Sequence, residues 1–483
     1  MIKSKFLLIL MFCSAINYLI FSHEVHRQSL LENIIQKISG IDNKSATIDV
    51  KTTDPQINKT MHEKEYSFMT FMAADNDLGP FARKNLREQS NAGSTQYINI
   101  ITQLDTRVAG NKKVTKRYYV EKDKLLVINH NDPTTQQMDS GVPNTLIDFC
   151  KWGIHNFPAK KYVLNLWNHG TGALDIGPKR TINPFPLFLF NPENNLIELD
   201  RSIPFFDFIQ SCAYADQRAI CFDDTTGHYL TNQDLEYALD SICTNLLNGK
   251  KLTIICFDAC LMSMIEIANI VKNYAEYMVA SQEVELGTGY NYYKILTPFS
   301  SHSPDKEAFA RHIVYSYEQA YTNITNDFTQ SALDLKFINA LEQNINQVSM
   351  LLIDSIKFQQ GKSIVDTIKA SRHKLFCTHF DEPSYIDLHH FYNNLLTNLK
   401  RFNYKNGRHG EAIRQQLNAA LLQGIDLIKK TVIANVTGKN LARANGISIY
   451  FPERRIHSSY HRTNFAKTNA WPQFLKDYLA HYA

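Results

Sequence analysis

Two short apolar runs in this chain each end in a small polar cluster that carries a reactive side chain. Tyr162–Trp167 runs into Asn168-His169-Gly170-Thr171-Gly172, and Leu252–Phe257 runs into Asp258-Ala259-Cys260. A thiol and an imidazole are the parts of nucleophilic acyl transfer: the imidazole takes the thiol proton, the thiolate attacks a carbonyl carbon, and backbone N–H donors hold the oxyanion. His169 precedes Gly-Thr-Gly, whose lack of side chains lets N–H groups face a ligand. After Cys260, apolar residues recur at helical spacing through Tyr274, which places the thiol at or near a helix N-terminus. There the exposed N–H groups and the helix dipole favour an anion. With a neighbouring imidazolium, they bring a thiol from about 8.5 to between roughly 3.5 and 7.5. Cys260 is therefore expected at the surface end of its strand, as a nucleophile. Cys256, inside the apolar run, reads as a buried structural cysteine, and a hydrogen-bonded structural histidine is the bland alternative for His169.

The elements that must position these side chains follow from the runs themselves. Short β-branched and aromatic stretches bounded by Gly, Asp or Asn read as buried parallel strands, and α/β proteins place their chemistry just past such strands. His169 and Cys260 would then share one rim. Further strands are expected at Tyr66–Ala74 and Tyr97–Gln103, a hairpin around Lys116–Ile128, and a helix over Leu146–Asn156. Between the two reactive clusters, Asp175 to about Cys221 is rich in proline and aromatics and reads as an irregular loop covering something apolar. After about residue 300 the pattern turns helical, with Ala308–Tyr321, Leu333–Phe358 and Glu411–Ile433 as long helices. Gly446–Phe451 then reads as a strand and Trp471–Tyr482 as a helix.

The phrases Leu166-Trp-Asn-His-Gly-Thr-Gly172 and Cys256-Phe-Asp-Ala-Cys-Leu-Met262 resemble the histidine and cysteine motifs of the clostripain family of cysteine peptidases, relatives of caspases, gingipains and legumains. Other segments fit in order: Phe71-Met-Ala-Ala-Asp-Asn-Asp77, Met138-Asp-Ser-Gly-Val-Pro-Asn-Thr-Leu146, Phe222-Asp-Asp-Thr-Thr-Gly227 with Leu230-Thr231, Val279-Ala-Ser-Gln-Glu283, and Gly446-Ile-Ser-Ile-Tyr-Phe-Pro452. The resemblance runs from about residue 65 to the C-terminus. It implies an α/β fold, a caspase-like α/β/α sandwich with a mainly parallel central sheet and an additional largely helical C-terminal part. Residues 65–300 would form the catalytic domain with an insert at 175–221, and 301–483 would pack on it and complete it.

The resemblance also implies roles. His169 would be the base and proton donor, Cys260 the nucleophile that forms a thioester, and the N–H groups of Gly170 and Cys260 the oxyanion donors. Asp258 would line the S1 pocket and select Arg or Lys at P1 in protein or peptide substrates; removing one partner of such a buried charge pair typically costs about 2–5 kcal/mol. A helix N-cap for the segment starting at Leu261 is the other reading of Asp258, and the two are compatible. Family members can carry a second acid in the glycine loop after the next strand, where this chain reads Leu286-Gly-Thr-Gly-Tyr290. Thr288 offers a hydroxyl there and no charge; Glu283 and Glu285 are either substitutes or solvated loop residues. Relatives are often matured by cutting the linker between the two motifs, which makes Lys179 and Arg180 self-cleavage candidates against a plain reading as solvated charges. Grouped carboxylates at Asp381, Glu382 and Asp387 and at Asp223-Asp224 leave calcium open, since some family members use it, but their spacing defines no site. No cofactor is required.

Composition bounds the remainder. With 483 residues, 44% hydrophobic and 20% charged, the chain can bury a large α/β core and a second lobe. A formal charge of +4 with no dense basic stripe argues against a nucleic-acid partner. Lys3 and Lys5 followed by Phe6–Phe12 and an interrupted apolar stretch to Phe21 read as a secretory signal peptide over 1–22, with cleavage after Ser22 or nearer Ala15; a short signal anchor is the competing reading. Residues 23–64 read as a polar spacer or pro-segment. A secreted, periplasmic or cell-surface protein with no stable membrane span after signal removal is expected. Seven cysteines remain beyond Cys13, an odd number that leaves a free thiol in a monomer. C-x-x-C, H-E-x-x-H and G-x-S-x-G are absent, so neither a zinc site nor a serine nucleophile elbow is expected. The alternative to an endopeptidase is an exported binding or scaffold protein that keeps a caspase-like fold without catalysis.

Overall fold

The computed structural model describes residues 49–52, 62–108, 112–175, 187–202, 204–207, 220–358, 362–400 and 407–481. The signal-peptide reading of 1–22, most of the 23–64 spacer, and Lys179 and Arg180 lie outside the described residues. The strands are β1 (Asp49–Thr52), β2 (Lys64–Ala74), β3 (Ile98–Val108), β4 (Lys112–Glu121), β5 (Lys124–Val127), β6 (Ala159–Trp167) and β7 (Phe188–Asn191). They continue as β8 (Leu196–Leu199), β9 (Leu252–Asp258), β10 (Ala275–Ala280), β11 (Thr329–Asp334), β12 (Tyr385–Asp387), β13 (Val432–Thr437) and β14 (Ser448–Tyr450).

Ten of these strands form one sheet in the order β1-β5-β4-β3-β2-β6-β9-β10-β11-β13. Its middle, β3-β2-β6-β9-β10, is parallel throughout, while β4 and β5 on one side and β11 and β13 on the other are added antiparallel. Every residue of β9 is buried, as expected of a central parallel strand covered on both faces. Alternation along β2 builds the layers. Phe71 meets Phe149 of the helix Pro143–Asn156, where Gly153 lets Met69 and Ile101 approach the helix backbone. Tyr66 and Phe68 face the other way, onto Phe309 of the helix Lys306–Tyr321. The result is a caspase-like α/β/α sandwich with helices added in the C-terminal part, where Ile338–Phe358 packs on Gly407–Thr431.

Three expectations need correction. Leu333 belongs to β11, and the long helix starts only at Ile338, because Asp334 accepts the Lys336 N–H and caps an intervening 3₁₀ turn. The helix expected to run to Ile433 stops at Thr431; Val432 and Ile433 open β13, where β-branched side chains pack better than in a helix. The 175–221 insert is not irregular throughout, since β7 and β8 pair as an antiparallel hairpin. No helix among the described residues is long and apolar enough to cross a membrane.

Candidate active site

The pairing of β6 with β9 decides where the two reactive side chains lie. Trp167 sits opposite Asp258 in a parallel register, and the ladder continues one step as the Asn168 N–H donates to the Asp258 carbonyl at 3.2 Å. His169 and Cys260 therefore leave adjacent strands, about 4.8 Å apart, at matching height. The loops that follow are pressed together: a Cβ on Gly170 would lie 2.5 Å from the Cys260 carbonyl and 2.9 Å from the Met262 side chain. Only glycine fits there. Leu261, immediately after the cysteine, holds a left-handed φ of 61°, a conformation that costs a non-glycine residue roughly 1–2 kcal/mol and turns the chain sharply at the sulfur.

His169 is oriented by a residue whose role the sequence reading left unassigned. Its Nε2 lies 2.8 Å from Asp77 Oδ1, just beyond the end of β2. An Nε2–H donated to Asp77 leaves Nδ1 with the lone pair that can take a thiol proton. Asn168 holds this rim together, donating to the Ala73 carbonyl and accepting the Phe222 N–H at 3.0 Å. Asn76 donates to the carbonyls of both Ala73 and Phe222, and the Phe222 ring meets the imidazole edge-on at 6.0 Å. Asp77 could have been found in the sequence, because it follows a strand in the same parallel sheet.

Cys260 departs from expectation in two respects. The helix after it begins only at Ile265, so the cysteine does not sit at that helix's N-terminus. The residue is also only 6% exposed, rather than presenting its thiol at the surface. Burial pushes the thiol well above its ordinary value, and the nearby carboxyls of Glu285, Glu283 and Asp381 push the same way. The one opposing contact is the Glu285 N–H, which donates to Sγ at 3.3 Å. The thiol thus holds its proton near neutrality, and a base would have to take it before the sulfur could attack.

Asp258 is 4% exposed and does not cap a helix. Its Oδ1 accepts the Tyr290 N–H at 3.0 Å and its Oδ2 the Tyr292 hydroxyl at 2.6 Å. Burial nevertheless raises its pKa to about 7. Glu285 is buried beside it and pushed up by burial and by the Asp258 charge. Thr288 is also buried, with its hydroxyl engaged by Tyr321 at 2.7 Å. Glu283 is not a solvated loop residue. Its carboxylate accepts the Asp381 N–H at 2.9 Å and pairs with Arg201 at 3.0 Å. Arg201 comes from the insert between the two motifs, and the Phe205 N–H of the same segment donates to Asp381.

Among the described residues, no group of three or more His, Cys, Asp or Glu is arranged to hold a metal ion. Of the grouped acids, Asp223 pairs with Lys113 and Asp387 caps the helix Leu388–Leu399. Six described cysteines, Cys150, Cys221, Cys243, Cys256, Cys260 and Cys377, are free.

A histidine and a cysteine at neighbouring strand ends of a caspase-like sandwich are the side chains that cysteine-type peptidase chemistry uses. The sequence model of the clostripain family matches residues 70–181 and 207–478. The chain belongs to the clostripain family. Clostripain of Hathewaya histolytica is 26% identical over 272 residues, 51% of this chain and 44% of that protein, so the match spans less than half of that relative's length. A secreted C11 cysteine protease from Bacteroides thetaiotaomicron, solved with an irreversible peptide inhibitor, superposes with a TM-score of 0.53 at 17% identity, covering 85% of this chain and 99% of that one. An inactive zymogen C11 protease from Parabacteroides distasonis gives a TM-score of 0.50 at 17% identity, covering 84% and 98%.

Proposed function

We propose that this chain is an exported endopeptidase that cleaves peptide bonds after Arg or Lys through His169 and Cys260. The observation that carries this reading is the β6–β9 register, which brings imidazole and thiol to one rim with Asp77 behind the imidazole. His169 Nδ1 takes the Cys260 proton as the sulfur attacks the carbonyl carbon, and the N–H groups of Gly170 and Cys260 hold the oxyanion. Collapse breaks the C–N bond, the leaving amine takes the proton from His169, and water then hydrolyses the thioester with His169 as base. A basic P1 side chain would meet Asp258, two residues before the nucleophile. Export is supported by the basic and apolar residues at the N-terminus.

The buried thiol and the hold of Arg201 on Glu283 and of Phe205 on Asp381 support a latent state, in which the insert pins the loops around Cys260. Self-cleavage at Lys179 or Arg180 would release that hold. The same burial is the one observation favouring a non-catalytic scaffold. Hydrolysis of short fluorogenic peptides ending in Arg, Lys or Asp separates the two readings. Wild type is expected to cleave the basic substrates, Cys260→Ala none, and Asp258→Ala without basic preference; equal turnover by Cys260→Ala would sink the assignment. Mass spectrometry of the active preparation reads the processing, and an intact insert in active enzyme rules out obligatory cutting there.

A further inference from the structure

We propose that Glu285 is the second acid of the S1 pocket, so that an incoming arginine or lysine side chain is held by the Asp258 and Glu285 carboxylates together. The inference rests on the reading of Asp258 as the S1 acid. Glu285 is 7% exposed. Its Oε1 accepts Gln330 Nε2–H at 3.2 Å, while its Oε2 is buried and, among the described residues, meets no amide, amine or hydroxyl donor. The Asp258 carboxyl lies within hydrogen-bonding reach, and two carboxyls bond only by sharing a proton. Neither acid has a cation partner among the described residues. Of the other buried acids nearby, Glu88 pairs with Lys84 at 2.7 Å and Glu283 with Arg201 at 3.0 Å, while Asp381 accepts the Phe205 N–H.

This unmatched pair sits where a P1 side chain must end. The Glu285 N–H touches the nucleophilic sulfur at 3.3 Å, so a substrate carbonyl placed on Cys260 has Glu285 and Asp258 within one side chain's reach. The rings of Tyr290, Tyr292, Tyr317 and Tyr321 surround the two acids and suit the methylene stem of Arg or Lys. Gly289, at a φ of +55°, has no side chain to cover Asp258, whose Oδ1 would lie 2.5 Å from a Cβ there. Thr288, which occupies the glycine-loop position, spends its hydroxyl on Tyr321. The second charge that this loop lacks is supplied from three residues upstream. When a guanidinium enters, the shared proton leaves to solvent and the cation takes its place between two carboxylates.

The test compares the full chain with Glu285→Gln, Glu285→Asp and Asp258→Asn on peptides ending in Arg and in citrulline, its neutral isostere. Glu285→Gln is expected to lower the Arg-to-citrulline ratio of kcat/KM about 10- to 100-fold, mainly through KM. Glu285→Asp, which keeps the charge but draws it back, should fall between. The ratio is internal to one preparation, so partial misfolding of a variant does not move it. Alkylation of Cys260 by iodoacetamide should proceed no more slowly in Glu285→Gln than in wild type, because the lost carboxyl had pushed the thiol up; a slower rate would show that the N–H contact to sulfur is broken. A wild-type ratio in Glu285→Gln, with the ratio lost in Asp258→Asn, overturns the role of Glu285 alone. A wild-type ratio in Asp258→Asn overturns the S1 reading itself.

Discussion

The Cys260 thiol is not pre-ionised, and as the proposed nucleophile it would put the burden on the histidine and on whatever orients it. Asp77 holds His169 by one hydrogen bond and is itself 36% exposed at the side chain. Water can partly replace it, so Asp77→Asn is expected to lower kcat at least about 10-fold, short of the ~10⁴-fold that a fully buried orienting carboxylate contributes. KM should hold, and steady-state kinetics on an Arg substrate would check both; an unchanged kcat removes Asp77 from the mechanism. The acids proposed for S1 give a pH signature. Asp258, raised to about 7 chiefly by burial, is neutral below that pH and attracts no cation. KM for Arg substrates should therefore fall as pH rises through about 7, while KM for citrulline substrates stays flat. Glu285, Glu88, Tyr290, Tyr292, Tyr317, Tyr321 and Cys260 face or adjoin this acid, and burial raises all of them. The tyrosines and the thiol thus add no charge near neutrality.

At the level of elements, the loops after β6 and β9 interlock backbone to backbone. Gly170→Ala would drive a methyl into the Cys260 carbonyl and Met262 and force the two catalytic loops apart. A displacement of about 1 Å can cost roughly 10²-fold in rate. A loss of that order in kcat is expected, with a lowered melting temperature; activity near wild type would show that the loops need not touch. The insert makes the opposite kind of contact, from outside. Arg201→Ala would free the Glu283 loop from β8 and its neighbours. Iodoacetamide labelling of Cys260 in the uncut chain should then speed up, and an unchanged labelling rate by mass spectrometry would count against the insert as a cover.

On the scale of the whole molecule, the fold encloses an excess of acid. Lys113 lies among Asp105 at 3.0 Å, Asp75 at 3.5 Å and Asp223, and Arg107 adds contacts to Asp75 and Asp224. Two cations thus face four carboxylates beneath the loops that carry Asp77 and Phe222. Burial raises Asp105 to about 8. Lys113→Met would strip the ammonium from three buried carboxylates, and a loss of about 3–5 kcal/mol in urea unfolding is expected. Glu266 and Asp381, like Asp258, are raised to about 7 by burial. Each such acid binds a proton in the native state that the unfolded chain has released, so stability falls as pH rises through these values. The half-buried histidines His379, His389, His390 and His457 are lowered and work in the opposite direction only below about 6.5. Lys64, lowered to about 8, opposes only above that pH. Between pH 6.5 and 8 the melting temperature should therefore drop; a rise by calorimetry would show that these acids are ionised in the native state.

The strand runs before His169 and Cys260 and the helical second half were legible because apolar periodicity is local, as were the two motifs themselves. Where Leu333 and Val432 went was not, since strand or helix at those positions was decided by the edge of the sheet they could join. Local pattern suggested a helix start behind Cys260, yet the turn at Leu261 and the delayed helix at Ile265 depend on the Gly170 and Gly172 loop packed against them. The sequence by itself determined which side chains could react and that they would stand at strand ends. Only the tertiary structure decided that Asp77 orients the imidazole, that Glu285 rather than Thr288 adjoins Asp258, and that the thiol rests protonated. Each of those depends on burial and on charges brought from distant parts of the chain, and neither is a property of neighbours in sequence.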